Sequence, residues 1–279
     1  MNDITTSERL CTKEEDIYLS YRFADIVNIV GVGRVSSSIA HALSGKVKFG
    51  YVISRDIEKA KKLSKEINAV PKTYDDEFIL NGTVLFGLND SILPRAEELL
   101  SGKVAEITAL HFSGFLASDI FPSYWSPASM HPNCAVSGDW QDFEGVIFGV
   151  EGTKKGTEIA KHLITLLGGM FFEISKEEKP LYHLAAVIVS NFSVALSYLS
   201  SSIYKDIGFS DEQARRIIST LLKSVSENIY EKQLFDALTG PVKRCDWEVV
   251  EKEAQIFKSK YPEYGNLYWM LVDILRKLV

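Results

Sequence analysis

"DIVNIVGVGRVSSSIAHAL", from Asp25 to Leu43, sets an apolar run against two glycines one residue apart and then a helix-like stretch. Ile26–Val30 reads as a strand, and Ser36–Leu43 as a helix with Ile39, Ala40 and Leu43 on one face. A Gly-x-Gly turn at that junction suits a nucleotide pyrophosphate. Gly31 permits the tight turn, Gly33 lets the backbone approach phosphate, and the helix start supplies free N–H groups with a partial positive charge. Gly31, Val32, Gly33, Arg34 and Val35 are therefore candidate cofactor contacts. The third glycine of the usual pattern is Ser36, small enough for strand and helix to pack. Taken alone, the motif also fits an ordinary strand–turn–helix corner.

Outward from the turn, short apolar runs alternate with amphipathic stretches. Phe49–Ile53, Thr83–Leu88, Glu106–Leu110, Val146–Val150 and Met170–Ile174 read as strands, and Ile57–Ile67 and Lys154–Leu167 as helices. This alternation predicts an α/β, Rossmann-type, mainly parallel sheet with helices on both faces. After Ser175 the strand signal stops. Pro180–Asp206, Asp211–Glu231, Asp246–Lys258 and Tyr264–Leu278 read as helices of an all-helical C-terminal domain. The expected division is an extension at 1–24, a nucleotide-binding domain at 25–175 and a helical domain at 176–279. The extension reads as helical or loose, or as the product of a start codon placed too early. Pro180–Asp206 is apolar nearly all round, so it must be covered by its own domain, the other domain or a second subunit.

With 279 residues, 46% hydrophobic and 24% charged, the chain has the composition of a soluble globular protein. A net charge of −6 gives no general pull towards nucleic acid or anionic membrane. No segment is expected to reach the length of a membrane span, and the polar, acidic N-terminus does not read as a signal peptide. Cys11, Cys134 and Cys245 are odd in number and far apart, which fits a reduced, cytoplasmic protein without a structural metal.

The second strand ends in Val52-Ile53-Ser54-Arg55, where a carboxylate would hold the ribose of NAD. A hydroxyl and a guanidinium suit a 2′-phosphate instead, so the expected cofactor is NADP(H). The alternative is that Ser54 and Arg55 merely cap the next helix. Ligands on such a sheet gather beyond the carboxyl ends of the strands. There lie Asn89 and Asp90, then "ALHFSGFL" with His111, Ser113 and Gly114, then "ASMHPN" with His131 and Asn133. Asn89, Asp90, Ser113 and Gly114 are read as cofactor contacts, and His111 and His131 as substrate contacts. For each histidine alone, a hydrogen-bonded loop residue is the plainer reading.

In "KPLYHLAAVIVSNFSVAL", Lys179, His183, Ala186, Ser190 and Val194 share a helical face, with Asn191 beside it. Polar groups on a buried helix need partners or a cleft. "LTGPVKRCDW" adds Lys243 and Arg244 as candidate contacts to an anionic substrate, with Asp246 placed to cap the next helix; a helix-joining turn explains the segment equally.

Together "VGVGRV", "HFSGFL", "SMHPN", "KPLYHLAAVIVSNFSVAL" and "LTGPVKRCDW" resemble a bacterial family of Rossmann-like NADP-dependent oxidoreductases whose C-terminal half is a domain of unknown function. More distantly the chain is similar to pyrroline-5-carboxylate reductase, ketopantoate reductase and the 3-hydroxyisobutyrate and 6-phosphogluconate dehydrogenases. That resemblance implies a helical second domain that dimerises and closes one wall of the active site. It also implies a lysine with an asparagine four residues later as the proton-transfer pair. Here His183 follows Lys179 at that spacing, and Asn191 comes later. The family's third loop usually ends Arg-Gly-Asp, where this chain has Cys245.

The expected function is transfer of a hydride to or from a small carbonyl, imine or hydroxyl substrate in the interdomain cleft. His183 is the first choice as general acid/base, Lys179 the second, with Asn191 and Ser190 orienting the substrate. Two other readings are a non-catalytic NADP(H) sensor and metal capture by His111, His131 and His183. The expected partners are a small molecule and a second copy of the chain.

Overall fold

The computed structural model describes residues 26–137 and 142–279; the expected extension at 1–24 lies outside them. The chain divides into two compact units, the first ending at Asn191 and the second spanning Phe192–Val279.

The first unit is built on an eight-stranded sheet in the order β3-β2-β1-β4-β5-β6-β7-β8. The strands are β1 Val27–Val30, β2 Phe49–Ile53, β3 Val70–Lys72, β4 Leu80–Phe86, β5 Val104–His111, β6 Ala128–Pro132, β7 Ile147–Gly152 and β8 Met170–Glu173. All neighbours pair parallel except β6 with β7, which is antiparallel. The sheet is therefore mainly parallel, as expected, and the strand order reverses between β1 and β4, where such folds open a crevice.

Alternate residues feed two cores. Val27, Ile29, Leu85 and Leu110 face α1 (Arg34–Leu43), α2 (Ile57–Ile67) and α3 (Lys154–Leu166) through Ile39, Leu63 and Leu163. Val30, Val84, Phe86 and Ala109 face the opposite way, against Leu93, Ala96, Phe121 and Trp125 of short helical turns and loops. Apolar residues on both sides explain why these strands read as continuous apolar runs. One polar residue interrupts β1: Asn28 is buried, donating to the Asn81 carbonyl and accepting from the Tyr51 N–H.

α4 (Lys179–Asp206) begins in the first unit and continues into the second. Its 28 residues reach a mean hydropathy of 1.5 over 18 of them, so by length and composition it qualifies as a membrane span. This corrects the expectation that no segment approaches that length; the serines and tyrosines spread along it do not lower the mean enough. Its apolar side chains are not covered by the chain itself: Leu181 is 71% exposed, Val189 73% and Tyr198 72%.

The second unit adds α5 (Asp211–Glu231), α6 (Trp247–Lys260) and α7 (Leu267–Leu275), the last two packing around Val242, Val250 and Val272. α5 opens with a reciprocal cap, the Ser210 hydroxyl accepting from the Gln213 N–H while the Gln213 side chain accepts from the Ser210 N–H. Asp246 stands at the start of α6 but makes no side-chain cap. Its carboxylate pairs with Arg244 at 3.2 Å instead, which corrects the capping expectation. Cys245 takes φ +57°, the left-handed region that favours glycine. That is the physical reason a glycine suits this loop position.

Candidate active site

Gly31 follows β1 with φ +93°, and a side chain there would meet the Gly87 carbonyl oxygen at 2.7 Å. The two strand ends are thus pressed together across the switch point, and only glycine fits. Ser36 completes the turn. Its hydroxyl donates to the Gly31 carbonyl (2.8 Å) and accepts from the Gly33 N–H (2.9 Å). The serine in place of a third glycine therefore ties the turn to α1. Arg34 and Val35 open that helix, where backbone N–H groups have no partner within the helix.

A pocket of about 600 Å³ lies over the turn. Of the expected residues, Gly31, Val32, Gly33, Ser54, Arg55 and Asn89 line it, and Arg34, Val35, Asp90, Ser113 and Gly114 do not. Lys59, Tyr74 and Arg95 line it as well. Lys59 was legible in the sequence, one helical turn beyond Arg55; Tyr74 carried no signal. Ser54 and Arg55 do not cap α2. That role falls to Asp56, whose carboxylate accepts from the Glu58 and Lys59 N–H groups at 3.0 and 3.3 Å. The one carboxylate next to Arg55 is thereby occupied, and among the described residues no ion pair engages Arg55 or Lys59. A glycine turn, an open helix start and two uncommitted cations fit a dinucleotide carrying an extra phosphate.

The second half of the site grows from the ends of β4, β5 and β6. Asp90 accepts a hydrogen bond from the Ser113 hydroxyl at 2.9 Å, joining the pocket rim at Asn89 to the loop after β5. The Ser113 hydroxyl also accepts from the Phe115 and Leu116 N–H groups. The Ser113 carbonyl accepts from Lys179 Nζ at 2.9 Å, and the Ser129 hydroxyl of β6 accepts from the same ammonium at 2.7 Å. Lys179 is fully buried. Burial pushes its pKa down to about 8, opposed by the charges of Glu151 and Asp90.

His131 and His183 meet beside this lysine with ring centroids 5.7 Å apart and planes near perpendicular. Burial, then the Lys179 ammonium, then His183 push His131 down to about 4. Tyr182 holds the other side of His131, its hydroxyl 3.0 Å from Nδ1, and accepts from Asn133 Nδ2 at 2.7 Å. Phe115, half exposed, packs edge-on to His183. His111 is fully buried, accepting from the Ser113 N–H and packing edge-on to Phe121. Burial and Lys179 hold it near 3, opposed by the Ala117 carbonyl. It supports the loop, which is the plainer of the two expectations for it, and it lines no opening to substrate.

Gly114, expected beside a nicotinamide, packs against both imidazoles of the cluster. Ser190 is exposed and bonds back to the Ala186 carbonyl of its own helix and to Asn191. Asn191 stands eight residues beyond His183, about 12 Å along the helix axis, and among the described residues no hydrogen bond joins either to the cluster. In the second unit Lys243 donates to the Phe235 carbonyl and lies over that ring, and Arg244 pairs with Asp246. Among the described residues no three His, Cys, Asp or Glu side chains gather to hold a metal. Tyr182 and Ser129 are the members of the cluster that sequence reasoning missed. Tyr182 had one signal, a phenol next to His183 on an otherwise apolar helix.

A family profile described as a domain of unknown function, DUF2520, matches residues 146–273. Comparison with the curated proteins finds no match. Among solved structures, protein TM1727 of Thermotoga maritima is 33% identical, the alignment covering 90% of this chain and 97% of that one, with a TM-score of 0.73. A Bacteroides fragilis protein, BF3122, provisionally assigned as an NADP oxidoreductase, is 20% identical over 91% of this chain and 98% of its own, with a TM-score of 0.75. A 1-pyrroline-5-carboxylate reductase of Streptococcus pyogenes is 13% identical over 91% and 99%, with a TM-score of 0.63. The last two share the fold.

Proposed function

We propose that this chain, which belongs to the DUF2520 family, is an NADP(H)-dependent oxidoreductase acting on a small carbonyl, imine or hydroxyl substrate. One observation carries the reading. The Asp90–Ser113 hydrogen bond links the rim of the glycine-turn pocket to a loop that bonds Lys179 and packs against His183. Cofactor pocket and proton-handling groups thus form one continuous wall at the strand ends.

When bound, the nicotinamide supplies or takes the hydride, leaving the protein to orient substrate and manage one proton. Ser54, Arg55 and Lys59 would hold the 2′-phosphate, and the α1 start would hold the pyrophosphate. His183 is half-buried, which leaves its ring able to reach a substrate, so we assign it as the general acid/base. Lys179 is sealed from any ligand by Ser113 and Ser129. It serves by its charge, which favours negative charge developing on the substrate oxygen and keeps His111 and His131 neutral. The exposed Phe115 ring offers the substrate an apolar face.

The reading includes a soluble, cytoplasmic homodimer in which a second copy covers the apolar side chains of α4 and α5, among them Leu181, Val189, Val194 and Val225. Size-exclusion chromatography with light scattering tests it: a monomer at micromolar concentration rejects the dimer. For the activity, keto acids and cyclic imines are screened by loss of nicotinamide absorbance. A His183→Ala protein should keep NADPH binding and lose turnover; unchanged turnover rejects the assignment of His183.

A further inference from the structure

We infer that Tyr182 and His131 form a proton relay that resupplies His183 from solvent, an inference that rests on the oxidoreductase reading above. The geometry runs in one direction. Asn133, exposed, donates to the Tyr182 oxygen, so the Tyr182 hydroxyl proton goes to His131, whose Nδ1 at 3.0 Å is a nearer acceptor than its own carbonyl at 3.4 Å. With Nδ1 accepting, the hydrogen of the neutral His131 ring sits on Nε2. That nitrogen points at Gly114: a Cβ built there would lie 2.8 Å from His131 Nε2 and 2.5 Å from His183 Nδ1. One small space therefore touches both nitrogens, and glycine is the residue that leaves it open. His183 Nδ1 is buried without a hydrogen-bond partner among the described residues. A buried acceptor in that state is costly; no direct hydrogen bond joins the two rings among the described residues, and His131 Nε2–H is the donor placed to serve it through one bridging water. With Nδ1 turned inward, Nε2 is the His183 nitrogen left to meet a ligand.

Tyr182 is seated as tightly as Gly114. Its hydroxyl lies where a side chain on Gly149 would be, with 2.5 Å to a Cβ built there. Around the imidazole pair stand Lys179 on the same helix, His111 at the end of β5, Asp90 through Ser113, and Glu151 on β7. Lys179 discourages a resting positive charge on His131, so a proton passes through that ring and does not lodge there.

In the reducing direction the substrate oxygen or nitrogen gains the His183 Nε2 proton as its new O–H or N–H bond forms, the electron pair arriving from reduced nicotinamide. Through the bridging water, His183 Nδ1 takes the proton of His131 Nε2, His131 Nδ1 takes that of Tyr182, and solvent on the Asn133 side reprotonates the phenolate; both rings end in the opposite tautomer and return to the starting one by proton exchange before the next turnover. The substrate gains one proton, solvent loses one, and each imidazole ends uncharged.

The test uses the full chain with ¹⁵N-labelled histidine. Nitrogen NMR should show His131 protonated on Nε2 in the native protein, and Tyr182→Phe should shift it towards a tautomer mixture and move the His183 signals. Finding His131 protonated on Nδ1 in the native protein overturns the relay. In single-turnover NADPH oxidation, Y182F should lose roughly tenfold or more in rate and change the solvent deuterium isotope effect, with NADPH affinity kept. An unchanged rate and isotope effect in Y182F overturns the relay and leaves the oxidoreductase reading standing. Failure of the native protein to bind NADPH overturns that reading, while the tautomer measurement still decides the hydrogen-bond chain.

Discussion

Replacing Lys179 with methionine isolates one buried charge. Methionine matches the lysine stem to its fourth atom and removes the ammonium. Lowering the pKa from 10.5 to about 8 means the folded chain disfavours the charged form by about 3 kcal/mol. Because the folded pKa lies below the unfolded one, that cost is fully present below pH 8. It fades as pH rises towards 10.5, where the folded state has released the proton that the unfolded state still binds. Between pH 7 and pH 10 the relief amounts to about 2.5 kcal/mol. Lys179→Met also leaves the Ser113 carbonyl and the Ser129 hydroxyl without their donor, a loss of about 1–3 kcal/mol that does not depend on pH. The two effects nearly cancel at pH 7, so single-pH stability is uninformative and the slope carries the information. Urea denaturation followed by circular dichroism at pH 7, 8.5 and 10 should show the native protein gaining on Lys179→Met by about 2.5 kcal/mol over the series. A stability difference that stays flat, or runs the other way, refutes the picture of a desolvated ammonium.

Three further outcomes follow from the geometry. Arg55→Ala removes a charge-assisted contact worth about 1.5–3 kcal/mol, so calorimetry should show NADPH affinity falling roughly tenfold to a hundredfold with NADH affinity little changed; an equal loss for both coenzymes argues against a 2′-phosphate at that site. His131 and His111, held near 4 and 3, stay neutral in the folded state while the unfolded chain takes up protons below pH 6.5. Each should then cost about 2 kcal/mol of stability at pH 5 relative to pH 7, and denaturation of His131→Gln at the two pH values should show a correspondingly smaller loss. Cys245→Gly relieves a left-handed backbone at φ +57° and should raise stability by up to about 1 kcal/mol, read as a higher melting temperature; a fall shows that the thiol contributes packing that outweighs the strain.

Strands and helices around the glycine turn were legible because apolar periodicity reports directly on burial. Ile26–Val30 and the Ile39, Ala40 and Leu43 face needed no partner to be recognised. β3 escaped notice because Val70–Lys72 is three residues long, half exposed and contains a proline. The reversal of direction between β6 and β7 escaped because composition does not encode which way a strand runs. Asp56 rather than Ser54 or Arg55 caps α2, a choice between adjacent residues that depends on backbone angles at the strand end.

The residue types of the site, with Gly31, Gly33, Arg55, Lys179, His131 and His183 near strand ends and a helix start, were determined by the sequence alone, since each is marked by local spacing. Their division of labour was decided only by tertiary structure. Lys179 and His183 are one helical turn apart, and on paper only the ordinary titration range of histidine ranks His183 first. The fold buries the first against Ser113 and Ser129 and leaves the second half open beside Gly114. Tyr182 joined the cluster for the same reason: its partners Asn133 and His131 lie about fifty residues away. Solvation and hydrogen-bond partners set what a titratable group can do, and both are properties of groups brought together from distant parts of the chain.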